Sequence, residues 1–268
     1  MIASVLAGLL VAVAIYVAFL RPGPISGELG LVRGDRPGLR VLFIGNSFTA
    51  RNSMIAMMRK LGEGVPHGDP IFSVAYAPGG STLENAVDDR RLTNLLEREP
   101  WNDVVLQEQS QIPSRPGTRE ALMFPAATRL DRMAKRVGAR TILFMTWGYE
   151  HGDRDALPAD TYQAMQTRLV EGYMELSGRL RGALIAPVGL AWEDAIATQP
   201  SLDLWAADGR HPSKKGSYLA ACVFYTLLSH RDATGSNFTA GLPRDQARSL
   251  QDIAQRSVRQ LYYLPPPS

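Results

Sequence analysis

The sequence predicts an α/β fold, a three-layer α/β/α sandwich around a five-stranded parallel sheet, from three observations. Short aliphatic runs alternate with longer amphipathic stretches through most of the chain. The runs are apolar at consecutive positions, as in strands covered on both faces rather than half-exposed hairpins. With 268 residues, 45% apolar and 21% charged, the chain is long enough for one large domain and has a globular composition. That composition excludes disordered, collagen-like and coiled-coil readings.

The elements follow in chain order. Residues 2–20 (IASVLAGLLVAVAIYVAFL) carry no charge. At about 1.5 Å per residue they are long enough to span a bilayer core and predict an N-terminal transmembrane helix. No Lys or Arg precedes them and no small-x-small cleavage site follows, so an uncleaved anchor (1–20) is preferred over a secretory signal. Residues 21–39, rich in Gly, Pro and Arg, have the composition of a tether. The folded domain is expected over 40–268. VLFIG (41–45) opens it as a buried strand, and a helical stretch follows over 53–62. IFSVAY (71–76) is the second strand, and a helix over 82–97 leads to the third, DVVLQE (103–108). A helix over 119–137 precedes TILFMTW (141–147), and a helix over 160–180 follows it. LIAPVG (184–189) is the fifth strand, and apolar helices over 216–229 and 245–262 close the chain, with no internal repeat. Right-handed crossovers between five such strands give a flavodoxin-like sheet, whose ligands sit beyond the carboxyl ends of the strands.

The residues at those ends are polar or glycine-rich: Gly45-Asn46-Ser47-Phe48-Thr49, Pro78-Gly79-Gly80-Ser81-Thr82, Gln107-Glu108-Gln109-Ser110 and Trp147-Gly148-Tyr149-Glu150-His151. The chain has no phosphate loop, no H-E-x-x-H helix, no G-x-G-x-x-G after the first strand and no G-x-S-x-G elbow. A net charge of +3 from scattered basic residues leaves no footprint for nucleic acid. The single cysteine, Cys222, excludes an intramolecular disulfide and any multi-cysteine metal site. No cofactor or metal is expected. A serine directly after the first strand therefore needs a base. His230 ends an apolar helix and His67 sits in a turn, both structural positions, while His151 is the reserve candidate. His211 differs: in Asp208-Gly209-Arg210-His211-Pro212-Ser213 a carboxylate three residues ahead can hold one ring nitrogen and leave the other for a serine proton. An exposed histidine in a capped turn is the structural alternative. Trp147 and Tyr149 either line the substrate pocket, where an aromatic face packs on a sugar ring, or cover the sheet edge.

The blocks GNSFT, GGSTL, VVLQEQS, TWGY and DGRHPS, in this order, resemble the SGNH hydrolases, or GDSL-like esterases and lipases, over most of the body. The resemblance implies Ser47 as nucleophile, His211 as base and Asp208 as its orienting carboxylate. It also implies an oxyanion hole from the backbone N–H groups of Ser47 and Gly80 and the side chain of the third block. That block departs from the family pattern, with Gln107-Glu108-Gln109-Ser110 in place of G-x-N-D. Counting from the strand puts Gln109 at the asparagine position, with Gln107 as the alternative. The implied activity is hydrolysis of a carboxylic ester through an acyl-enzyme, with a short acyl group such as acetyl on a carbohydrate. A glycan O-acyltransferase and a non-catalytic carbohydrate-binding domain are the alternatives. A glycan substrate favours a domain on the periplasmic or extracellular side of the membrane. Arg21, Arg33, Arg36 and Arg40 after the anchor argue for the cytoplasmic side.

Overall fold

The computed structural model describes residues 25–27, 29–33, 37–63 and 70–262. The expected membrane anchor and His67 lie outside them. Among the described residues no helix is long and apolar enough to cross a membrane.

Six strands, β1 (Ile25–Gly27), β2 (Leu39–Ile44), β3 (Ile71–Tyr76), β4 (Asp103–Leu106), β5 (Arg140–Phe144) and β6 (Leu184–Ala186), form one sheet in the order β1-β3-β2-β4-β5-β6. The five expected strands run parallel, in register from Val41 opposite Asp103 to Phe144 opposite Ala186. The sixth is a correction: residues 25–27, expected in the tether, pair antiparallel with β3 at the sheet edge. β3 and β4 are buried at every position, so both faces of the sheet are covered.

The covering helices are α1 (Met54–Glu63), α2 (Leu83–Asp88), α3 (Arg90–Arg98), α4 (Phe124–Arg136), α5 (Tyr162–Arg179), α6 (Val188–Thr198), α7 (Lys214–Ser229) and α8 (Arg244–Tyr262). One group joins α1, α6, α7 and α8, and the other joins α2, α3 and α4, while α5 packs on β6 and α6. α7 is buried from Gly216 to Leu228, which explains its unbroken apolar sequence. Burial there pushes the Cys222 thiol up, away from the reactive thiolate form.

Three expected boundaries move for local reasons. The helix expected over 82–97 breaks at Asp89, whose carboxylate accepts from the amides of Arg91 and Leu92 and so starts α3 afresh. The helix expected over 119–137 opens with a π-helical turn, Arg119–Met123, before α4. LIAPVG is strand only to Ala186. Pro187 ends it and stands at the N-terminus of α6, a helix the sequence pattern did not separate from its apolar surroundings.

Candidate active site

The carboxyl end of β2 delivers the nucleophile candidate. A Cβ on Gly45 would lie 2.5 Å from Thr49 Oγ1 and 2.6 Å from Gln107 Oε1, so only glycine lets this turn close. Asn46 caps the helical turn Ser47–Ala50, its Oδ1 accepting from Phe48 N at 3.1 Å. Ser47 Oγ is then 2.9 Å from His211 Nε2, a residue 164 positions later in the chain.

His211 is held by its own turn. Ala206 N donates to His211 O at 2.8 Å and Ser213 N to Leu204 O at 2.7 Å, closing a narrow loop ahead of α7, which Ser213 caps. Asp208 Oδ1 accepts from the amides of Arg210 and His211 at 3.0 and 2.9 Å, and its Oδ2 lies 2.6 Å from His211 Nδ1. The tautomer that satisfies both ring contacts carries its proton on Nδ1 and leaves Nε2 to accept from Ser47. Partial burial would raise the Asp208 pKa, but the bonds from the His211 ring and from the amides of His211 and Arg210 outweigh it and hold the carboxyl at about 2. Its ordinary value is 3.8, so its stabilising contribution is complete above about pH 4 and disappears as the pH falls through 2. The melting temperatures of the parent and Asp208→Asn should differ at pH 5 and converge near pH 2. A gap that stays constant through that window contradicts this picture of Asp208.

Behind the pair lies an aromatic stack. Phe48 lies face to face on Trp147 at 4.7 Å, Trp147 on Trp192 at 4.1 Å, and the His211 ring meets Phe48 edge-on at 5.5 Å. Trp147 Nε1–H donates to Arg210 O at 3.1 Å. Trp147 is 0% exposed with both faces covered, so the expected packing of a sugar on this ring has no free face. Tyr149 is also buried, its hydroxyl 2.6 Å from Ser110 Oγ and one face under the Arg210 guanidinium. Burial pushes its phenol pKa up.

Gly80 sits exposed in a turn that Ser81 N closes onto Pro78 O at 3.2 Å, with a φ of +70° that favours glycine. Asn46 Nδ2 donates to Ser81 O at 3.0 Å and so ties this turn to the Ser47 turn. Among the described residues the N–H groups of Ser47 and Gly80 have no partner. The two glutamines of the third block divide. Gln107 is fully buried and both its amide hydrogens are used, on Asn46 Oδ1 at 3.0 Å and Glu108 O at 2.6 Å. Its Oε1 accepts from Asn46 N at 3.0 Å and Thr49 Oγ1 at 2.9 Å, so Gln107 braces the Ser47 turn and has no N–H left for an oxyanion. Gln109 is half-buried and its Nε2 makes one bond, to Gln111 Oε1 at 3.3 Å, leaving one amide hydrogen.

Sequence reasoning missed two residues. Asn52, in the left-handed region at φ +53°, donates Nδ2–H to Pro212 O at 3.0 Å and to Ser217 Oγ at 2.9 Å, fastening the segment after Ser47 to the His211 loop. Glu108 is a fully buried carboxylate, pushed up to about 7 by burial, with Glu84 adding to the shift and the amides of Gln109 and Leu83 opposing it. A carboxylate at the carboxyl end of an aliphatic run covered on both faces was the available signal. His151 is exposed and meets Arg154 only through its backbone oxygen, and His230 ends α7 with φ +56°. Among the described residues no group of three or more His, Cys, Asp or Glu is placed to hold a metal ion.

No protein-family model and no curated protein matches the chain. Solved structures do. A DUF4886 family protein from Bacteroides uniformis is 20% identical, with 84% of this chain and 95% of that one covered at a TM-score of 0.69. Axe2, an acetylxylan esterase from Geobacillus stearothermophilus, is 18% identical, with 73% and 96% covered at a TM-score of 0.52. At these identities the likeness is one of fold. A protein from Slackia heliotrinireducens described as an SGNH hydrolase is 30% identical, with 70% of this chain and 97% of that one covered at a TM-score of 0.58. Nearly all of that protein is matched at this identity, and the chain therefore belongs to the SGNH hydrolases.

Proposed function

We propose that the chain is a serine hydrolase of short-acyl carboxylic esters, with acetyl on a carbohydrate, the bond in the name of Axe2, as the first substrate class to test. The observation that carries this reading is the continuous contact from Ser47 Oγ to His211 Nε2 at 2.9 Å and from His211 Nδ1 to Asp208 Oδ2 at 2.6 Å. In this reading Ser47 Oγ attacks the ester carbonyl carbon as His211 Nε2 takes its proton, and Asp208 stabilises the imidazolium. The tetrahedral oxyanion accepts from the N–H groups of Ser47 and Gly80 and from the remaining amide hydrogen of Gln109. Collapse expels the alcohol, which takes the proton from His211. Water, deprotonated by the same histidine, then releases the acyl group.

The test is release of acetate from an aryl acetate and from acetylated xylo-oligosaccharides, with and without a glycan acceptor. Free acetate in both conditions supports the reading, whereas acyl transfer to the acceptor without free acetate replaces it with a transferase. Gln109→Ala should lower kcat about a hundred-fold, the scale of losing one oxyanion donor. A rate within a factor of about two of the parent removes Gln109 from the oxyanion hole, against that same scale.

A further inference from the structure

Glu108 is 0% exposed and belongs to the loop after β4, one of the two loops assigned to the oxyanion. One of its carboxylate oxygens, Oε1, accepts from Leu83 N at 3.1 Å and from Gln109 N at 2.6 Å, while Oε2 is buried without a partner. Leu83 opens α2 directly after its N-cap Thr82, which follows Gly80 and Ser81, and Gln109 is the third residue of the loop after β4. A single oxygen thus joins the β3 loop to the β4 loop. Its backbone continues the connection: Glu108 O accepts from Gln107 Nε2, and Gln107 Oε1 accepts from Asn46 N in the nucleophile turn. Burying a carboxylate with one oxygen bare is costly, and an apolar side chain would fill the same volume without that cost. What an apolar residue would lack is the acceptor shared by two amides.

We propose that Glu108 is a positioning residue that sets the spacing between the Gly80 loop and the Gln109 loop through the two amides on its Oε1. The role rests on the ester-hydrolase reading above, because the loops matter only if they hold an oxyanion. It concerns an acceptor atom and not a charge. A proton on Glu108 has the bare Oε2 to occupy, so Oε1 accepts in both protonation states. Glutamine keeps the shared oxygen and places its amide nitrogen at the bare position. Methionine has a similar volume and no comparable acceptor.

The experiment compares the full chain with E108Q and E108M, measuring kcat and KM for an aryl acetate and hydrogen exchange at the amides of residues 80–83 and 109–111. E108M is expected to lower kcat about a hundred-fold with KM within about two-fold, as for loss of a transition-state donor, and to speed exchange at Leu83 and Gln109. E108Q is expected to stay within about three-fold of the parent in kcat, well short of the loss of one such donor, with the parent's exchange pattern and an unchanged shape of its pH profile. Unchanged kcat in E108M, or E108Q as impaired as E108M, overturns the proposal. Where the parent itself shows no Ser47-dependent turnover, the ester-hydrolase reading fails, and unchanged exchange at Leu83 and Gln109 in E108M overturns the clamp separately. If E108M does not fold, the parent decides through the same amides: protection at Leu83 and Gln109 supports the clamp, and exchange at solvent rates overturns it.

Discussion

Ser47→Ala is expected to lower turnover of a short aryl acetate by at least about a thousand-fold, with a melting temperature matching that of the parent. Removal of a nucleophile that acts as a unit with its base leaves only what binding and the oxyanion donors supply, which is why the loss is so large. The hydroxyl bonds to one partner, His211 Nε2, and the side chain is half-buried, so alanine opens no core cavity. Kinetics and thermal melts on the same preparations check both halves. Retained turnover in a folded Ser47→Ala variant would move the nucleophile elsewhere.

Trp147→Ala should cost about 3–5 kcal/mol of stability, the range for truncating a large buried aromatic side chain. The ring is fully buried between Phe48 and Trp192, and stacked aromatic pairs add about 0.5–1.5 kcal/mol beyond area burial. Loss of Nε1 also leaves Arg210 O, in the turn beside His211, without the bond it accepts at 3.1 Å. Turnover should therefore fall as well, because Phe48 and Arg210 frame the histidine. Trp147→Phe keeps an aromatic face and loses the N–H, so it should cost less stability while still disturbing the Arg210 turn. Denaturant unfolding of both variants checks the order, and a cost below about 1 kcal/mol for alanine would contradict the packing described.

The parallel sheet was legible because each strand is a run of aliphatic residues covered on both faces, and β2 to β6 fall where those runs lie. Ser47, Asp208 and His211 were legible for a different reason: a serine just past a strand and an Asp-x-x-His turn are each local patterns, and the resemblance of the motif blocks joined them across the 164 positions that separate Ser47 from His211. The structure brings all three into contact. What the sequence could not show was which side of an element a polar residue faces. Trp147, beside a strand end, reads either as a pocket aromatic or as a cover of the sheet edge, and the residues that bury it, Phe48 and Trp192, come from distant segments. Gln107 and Gln109 read alike, and only the three-dimensional count of amide hydrogens separates a brace from an available donor. β1 escaped notice because a three-residue strand in a Gly- and Pro-rich stretch carries no period to detect.

The most direct measurement is covalent trapping of the full chain with a small organophosphate ester that carries an aryl leaving group, followed by mass mapping of the adduct. The expected result is a single phosphoryl adduct on the peptide holding Ser47, lost in His211→Ala and accompanied by loss of aryl acetate turnover. A folded parent that hydrolyses the ester yet carries its adduct on another residue would contradict the assignment of Ser47 and His211 as nucleophile and base.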